Sequence, residues 1–170
     1  NSDFIFFEEN FGGVRSFELA IMTKGDREID DYEVLKEVAL LEDFLRDSVN
    51  LNGTFSPTLL YKTLNRAFNG DRLRNYKFPE SEEVFDEYKT KFGALGKIDF
   101  KSLASDDNKM GRLTAKMHDI GADSIRIFRD ITNRWISKNI DTNLVTFRHT
   151  GTSLLYDKNC EMLRDCLLKG

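Results

Sequence analysis

The sequence has little of what marks most functional classes. It has no block of Lys and Arg: 25 basic residues face 29 acidic ones, for a formal charge of −4. The electrostatic footprint of a nucleic-acid binder is therefore missing, and no nucleic-acid partner is expected. No apolar run approaches the roughly 18 residues needed to cross a bilayer, since the longest aliphatic stretch is Val38-Ala39-Leu40-Leu41. No basic segment precedes an apolar one in the manner of a signal peptide. Histidine and cysteine are equally scarce. His118 and His149 are the only histidines, and Cys160 and Cys166 the only cysteines. The two cysteines fall six residues apart in one expected helix, about 9 Å along its axis, too far for a disulfide. Without a CxxC pair they give no metal site and are expected as core filling.

What is present describes a folded domain. Of 170 residues, 40% are apolar and 32% charged, the balance of an ordinary globular chain long enough to bury a core. Two-residue alternation marks strands at 17–23, 112–118 and 143–149, carried by Phe17, Leu19 and Ile21, by Leu113, Ala115 and Met117, and by 144–149. Helical spacing of Val34, Val38, Leu41 and Leu45 predicts a helix over 31–47. That of Ile125, Phe128, Ile131 and Ile136 predicts another over 122–138. Residues 50–55 read as a short strand or a loop, and 98–103 alternate weakly. The only prolines, Pro57 and Pro79, each stand at an expected helix start, Ser56-Pro57 as a cap followed by proline and Pro79 before Glu80-Ser81-Glu82-Glu83. A last helix is expected over 154–168.

Set in order, these elements give an α+β chain of ferredoxin-like, split βαβ type with a helical insertion between its halves. The expected parts are a lead-in at 1–16, a first βαβ half at 17–55, the insertion at 56–97, a second half at 98–151, and an outgoing helix at 152–170.

No reaction chemistry stands out. The histidines could form a base or metal pair if their strands are neighbours, or be structural. Asp106-Asp107-Asn108 lacks the remaining ligands of a calcium loop and reads as a hairpin turn. Gly12-Gly13 lacks the further glycines and Lys-Ser/Thr of a phosphate loop, Asn52-Gly53-Thr54 reads as a turn, and no serine sits in a nucleophile elbow. No enzyme activity, cofactor or metal is expected. Fourteen phenylalanines are the notable surplus. Phe78, Phe85, Tyr88 and Phe92 concentrate in the insertion, where they could line a groove for an amphiphile or pack a core.

The stretches "FFEENFGGVRSFELAI", "GRLTAKMHDIG" and "VTFRHTGTSLLYDKN" resemble the first extracytoplasmic loop of RND-superfamily exporters, closest to the MmpL-type and hydrophobe-exporter branch. Phe11-Gly12-Gly13 stands where that family has a turn before its first porter strand. Thr150-Gly151-Thr152 stands where a strand gives way to the helix that runs into the second membrane span. The likeness is weakest over 55–107, and 170 residues leave little room for the docking part of multidrug-type members. The resemblance implies a porter domain on the periplasmic side of a bacterial inner membrane, with a lipid or other hydrophobic substrate. Its partners would be the membrane helices and second porter domain of the same chain, with self-association as a further option. It implies a piece cut from a longer chain, in keeping with a start at Asn1 and not at methionine. The open alternatives are an assembly or binding module of a related membrane protein, such as a protein-translocation or sterol-sensing relative, and a stand-alone soluble enzyme.

Overall fold

A computed structural model describes residues 15–49, 51, 53–94, 103–117 and 122–169. Phe4, Phe6, Phe7, Phe11, Gly12, Gly13, Asn52, residues 98–102 and His118 lie outside it. The chain is α+β. Among the described residues the order is β1 (Arg15–Thr23), α1 (Tyr32–Val49), α2 (Thr58–Phe68), a 3-10 turn (Leu73–Asn75), α3 (Glu82–Ala94), β2 (Met110–Met117), α4 (Ala122–Asn139), β3 (Val145–Thr150) and α5 (Thr152–Lys169).

The strands form one antiparallel sheet in the order β2-β1-β3. Register follows from the hydrophobic alternation. Leu19 lies opposite both Leu113 and His149, and Ile21 opposite Gly111 and Phe147. Because side chains alternate faces, every odd-numbered position of the three strands points the same way. Phe17, Leu19, Ile21, Leu113, Ala115, Met117 and Val145 are accordingly buried. The opposite face carries Arg112, Lys116 and Arg148, all exposed.

Helices α1 and α4 pack on the odd face. α1 contributes Val34, Leu35, Val38, Leu41 and Leu45, and α4 contributes Ile125, Phe128 and Ile136 to one continuous core. Phe17 meets Phe128 edge-on at 5.1 Å, and Phe44 of α1 stacks on Trp135 of α4 at 4.4 Å, so the helices lie side by side. Gly111 leaves room for this layer. A Cβ there would come within 2.8 Å of Ile29, which precedes α1.

The segment between α1 and β2 is tied to the same core. Phe55 exchanges backbone hydrogen bonds with Thr114 at 2.7 and 2.8 Å, an isolated antiparallel bridge on the outer edge of β2. Ser56 Oγ accepts the Thr58 amide at 3.2 Å, providing the expected cap of α2. Asn69 and Gly70, the latter at φ +80°, end that helix. The Asp106–Asn108 segment is a hairpin turn, as its composition suggested: the Ser105 amide donates to the Met110 carbonyl at 2.8 Å, and Asn108 adopts φ +54°. Asp107 Oδ1 accepts from Ser105 Oγ and the Lys109 amide, so its carboxylate is committed to the turn.

Candidate functional site

The groups most closely gathered around a motif lie where α5 leaves the sheet. Thr150, Gly151 and Thr152 join β3 to α5, and Gly151 adopts φ +93°. Two constraints meet at this glycine. L residues avoid that backbone region. A Cβ would also lie 2.7 Å from the Glu18 carboxyl carbon and 3.1 Å from its Cβ. The chain reverses here against β1, and only glycine fits without rearrangement.

Around this reversal sits a polar cluster. Arg15, the first residue of β1, pairs with Asp157 in the second turn of α5; both side chains are largely buried. One turn on, Arg129 of α4 faces Glu161 of α5 at 4.0 Å. His149 lines the same recess as Arg15, Arg129 and Asp157, edge-on to Phe17 at 5.7 Å, with Nε2 3.1 Å from Asn133 Oδ1. Burial, and secondarily the Arg129 charge, push its imidazole down to about 4. It is therefore neutral at neutral pH. Asn133 is the hydrogen-bond partner of its ring, and no serine or carboxylate is paired with it among the described residues. The half-open recess they line has about 30 Å³, room for a water molecule and not for an acyl chain. Chemically the cluster clamps the base of α5 to β1 and α4.

The four aromatic residues singled out in the insertion are placed differently from one another. Phe85 is 1% and Tyr88 4% exposed, and Phe78 is half-buried against the core. Phe85 stacks on Tyr61 at 4.1 Å and meets Tyr32 at 5.5 Å, and Phe78 stacks on Tyr32 at 5.8 Å. They fasten the insertion to α1, together with the Tyr32 hydroxyl, which donates to the Glu80 carbonyl at 3.0 Å. Phe92 belongs to α3, and its side chain lies outside the description. Tyr88 also borders an open cleft between α2, the 3-10 turn and α3, with Phe68, Asn69, Asn75 and Lys91 on its other walls. Asn65 organises that cleft: its Nδ2 donates to the Asn75 and Lys77 carbonyls, and its Oδ1 accepts the Tyr88 hydroxyl at 3.0 Å.

Sequence reasoning missed a second buried polar group. Lys62 Nζ of α2 lies 2.7 Å from Glu42 Oε2 of α1, which also accepts the Thr58 hydroxyl at 2.5 Å. A glutamate at the helical spacing of Val38, Leu41 and Leu45 was the available signal. The cysteines correct an expectation in the other direction. Cys160 and Cys166 are both exposed, because α5 runs past the core that would have enclosed them. No group of three or more metal-binding side chains occurs among the described residues, and none of their helices is long and apolar enough to cross a membrane. No known family profile and no curated protein matches the chain.

Proposed function

We propose that this chain is a ferredoxin-like porter domain of an RND-type exporter of lipids or other amphiphiles, set on the extracytoplasmic side of a membrane. The observation that carries the reading is where the chain enters and leaves the sheet. β1 begins and β3 ends at the same end of the sheet, with Glu18 opposite Thr150, and the Arg15–Asp157 pair holds the first strand against the outgoing helix. A domain hung between two membrane helices requires that arrangement.

Three further features support it. If Phe55 is counted as the remnant of a strand, the elements run strand-helix-strand, strand-helix-strand, and the sheet order becomes fourth, first, third, second. Gly151 of the Thr-Gly motif has a physical need for glycine at the place where the family turns from strand to helix. Among the described residues nothing covers α5 beyond Glu161: Met162, Leu163, Leu167 and Leu168 are 60–84% exposed, as expected of a helix whose packing partner lies elsewhere. In this reading the domain does no covalent chemistry and contributes by rigid-body movement against a second porter domain.

Two experiments test it. The flanking coding sequence should encode an apolar span of roughly 20 residues on each side; a reading frame that starts near Asn1 and stops near Gly170 overturns the proposal. In intact cells, a membrane-impermeant maleimide should label Asp106→Cys in the full-length protein. Labelling only after lysis would place the domain on the other side.

A further inference from the structure

The two faces of the sheet are finished differently. Helices α1 and α4 cover the odd face, whereas the even-numbered side chains stand on the other in cross-strand rows set by the register. In the middle row Ala20 of β1 lies opposite Arg112 on one side and Arg148 on the other. The next row, toward the Asp106–Asn108 turn, sets Met22 opposite Met110. On the other side of the arginines Glu18 lies opposite Thr114, with Phe55 beyond it, and Lys116 follows opposite Ser16. Arg112, Lys116 and Arg148 are exposed, and Glu18 is the one acid at the even positions of these strands. A chain of formal charge −4 therefore turns a cationic sheet face to solvent.

The two arginines are also unspent. No side-chain hydrogen bond or ion pair engages either of them among the described residues. Several exposed cations of the helices instead sit beside acids, Lys36 by Glu33, Arg46 by Asp43 and Lys91 by Glu87. Arg112 and Arg148 are two strand spacings apart, about 10 Å between backbones. The small side chain of Ala20 keeps the floor between them low, and both arginines are long enough to reach over it. A guanidinium fork matches the two oxygens of a carboxylate, so the face fits an anionic partner.

The openness of the face decides what kind of anion. With no wall around Ala20 a small anion stays hydrated, and an ion pair in water contributes little. A covering polypeptide expels that water and strengthens the same pairs. It also uses the apolar part of the surface, where Met110 is 50% and Phe55 42% exposed; methionine adapts to partners of varied shape. Nucleic acid fits less well. Unpaired bases stack on aromatic rings, and the even positions of the three strands hold none.

We propose that the even face of the sheet is an interaction surface for an acidic segment of another polypeptide. Its carboxylates meet Arg112 and Arg148 across Ala20, and its apolar side chains cover Met22, Met110 and Phe55. This does not rest on the exporter reading, because a protein of any activity has use for such a face; the flanking-sequence test can fail while this one succeeds, and the reverse.

The test uses the 170-residue chain and a fluorescein-labelled amphipathic peptide of Glu and Leu, about 20 residues long so that it holds a helix. Fluorescence anisotropy should show saturable binding that weakens as salt is added. Arg112→Gln with Arg148→Gln should weaken binding about tenfold or more, and Met110→Ser several-fold. The thermal unfolding midpoint should stay unchanged in both variants, since these side chains lie outside the core. Arg134→Gln with Lys138→Gln removes the same charge from exposed positions of α4 and should leave binding as it was. A labelled oligothymidylate of similar length should bind more weakly than the peptide. Absence of saturable binding, or an equal loss in the α4 variant, would overturn the proposal. Tighter binding of the oligothymidylate would overturn it in favour of nucleic acid. A parent chain that sediments as a dimer, and as a monomer once both arginines are replaced, would overturn it in favour of a second copy.

Discussion

Acid should destabilise this domain through His149 before its carboxylates are reached. In the folded chain the imidazole is held near 4 by burial and by the Arg129 charge, against about 6.5 when unfolded. Between those values the unfolded chain binds a proton that the folded chain refuses. Stability therefore rises with pH across that window and is lost as pH falls through it. A full separation of that size is worth about 3 kcal/mol, an upper figure because the ring keeps some contact with solvent. The charged groups that share its surroundings are Arg129, Arg15, Asp157, Glu161 and Glu18.

The measurement is urea unfolding at intervals from pH 7.5 to 4, on the parent chain and on His149→Gln, which keeps a polar group beside Asn133 without a basic nitrogen. Subtracting the two curves cancels every group they share, including His118. The difference should be flat above pH 7 and should swing by about 1–3 kcal/mol toward the variant by pH 4.5. Parallel curves across the range would show that the imidazole is freely protonated in the folded state, and the account of the clamp would fail.

Other perturbations read other parts of the fold by chemical denaturation. Gly151→Ala should cost about 1–3 kcal/mol from backbone strain plus the Glu18 clash; Gly25→Ala, at φ +59° with nothing within 4 Å, isolates the strain alone, and equal losses would discount the clash. Phe85→Ala should cost about 3–5 kcal/mol as the fully buried ring that joins α3 to α1, whereas a loss under about 1 kcal/mol would mean that the insertion is not part of the core. Lys62→Met alone should cost about 3–5 kcal/mol by stranding the Glu42 carboxylate. Adding Glu42→Leu should recover much of that loss, and an additive double variant would show that the pair does not act as a unit.

The legible part of this fold was the part governed by one period at a time. Phe17, Leu19 and Ile21 can alternate only as a strand with one buried face, and Val34, Val38, Leu41 and Leu45 can share a face only on a helix. Those elements extend over 15–23 and 32–49, within two residues of the expected bounds. Their adjacency was less visible. Phe55 pairs with Thr114 through backbone groups, for which its side chain carries no code. The junction cluster was harder still: Arg15, Arg129 and Asp157 are unremarkable in sequence and acquire meaning only when a reversal at Gly151 brings three elements together.

The cysteines and the aromatic residues together locate the boundary of what composition can say. Phe85 and Tyr88 could line a groove or pack a core, and composition does not choose: Phe85 is enclosed where α1 supplies Tyr32 and α2 supplies Tyr61, and Tyr88 stacks on Phe68 of α2. Cys160 and Cys166 suggested a core because thiols are usually enclosed, yet the helix that bears them has its polar face clamped inward. Hydrophobicity records that a surface will be covered; which body covers it depends on the orientation imposed by a few polar contacts. In α5 those contacts are the pairs made by Asp157 and Glu161. Reversing Asp157 to Lys should therefore do more than remove one ion pair. Two cations would then face each other at Arg15, and the helix would be free to rotate its apolar arc back onto Phe17 and Phe128. A fall in the solvent reactivity of Cys160 and Cys166 in that variant, with the core still folded, would show that the clamp sets the direction of the exposed face. Unchanged reactivity would assign the orientation to the Gly151 turn alone.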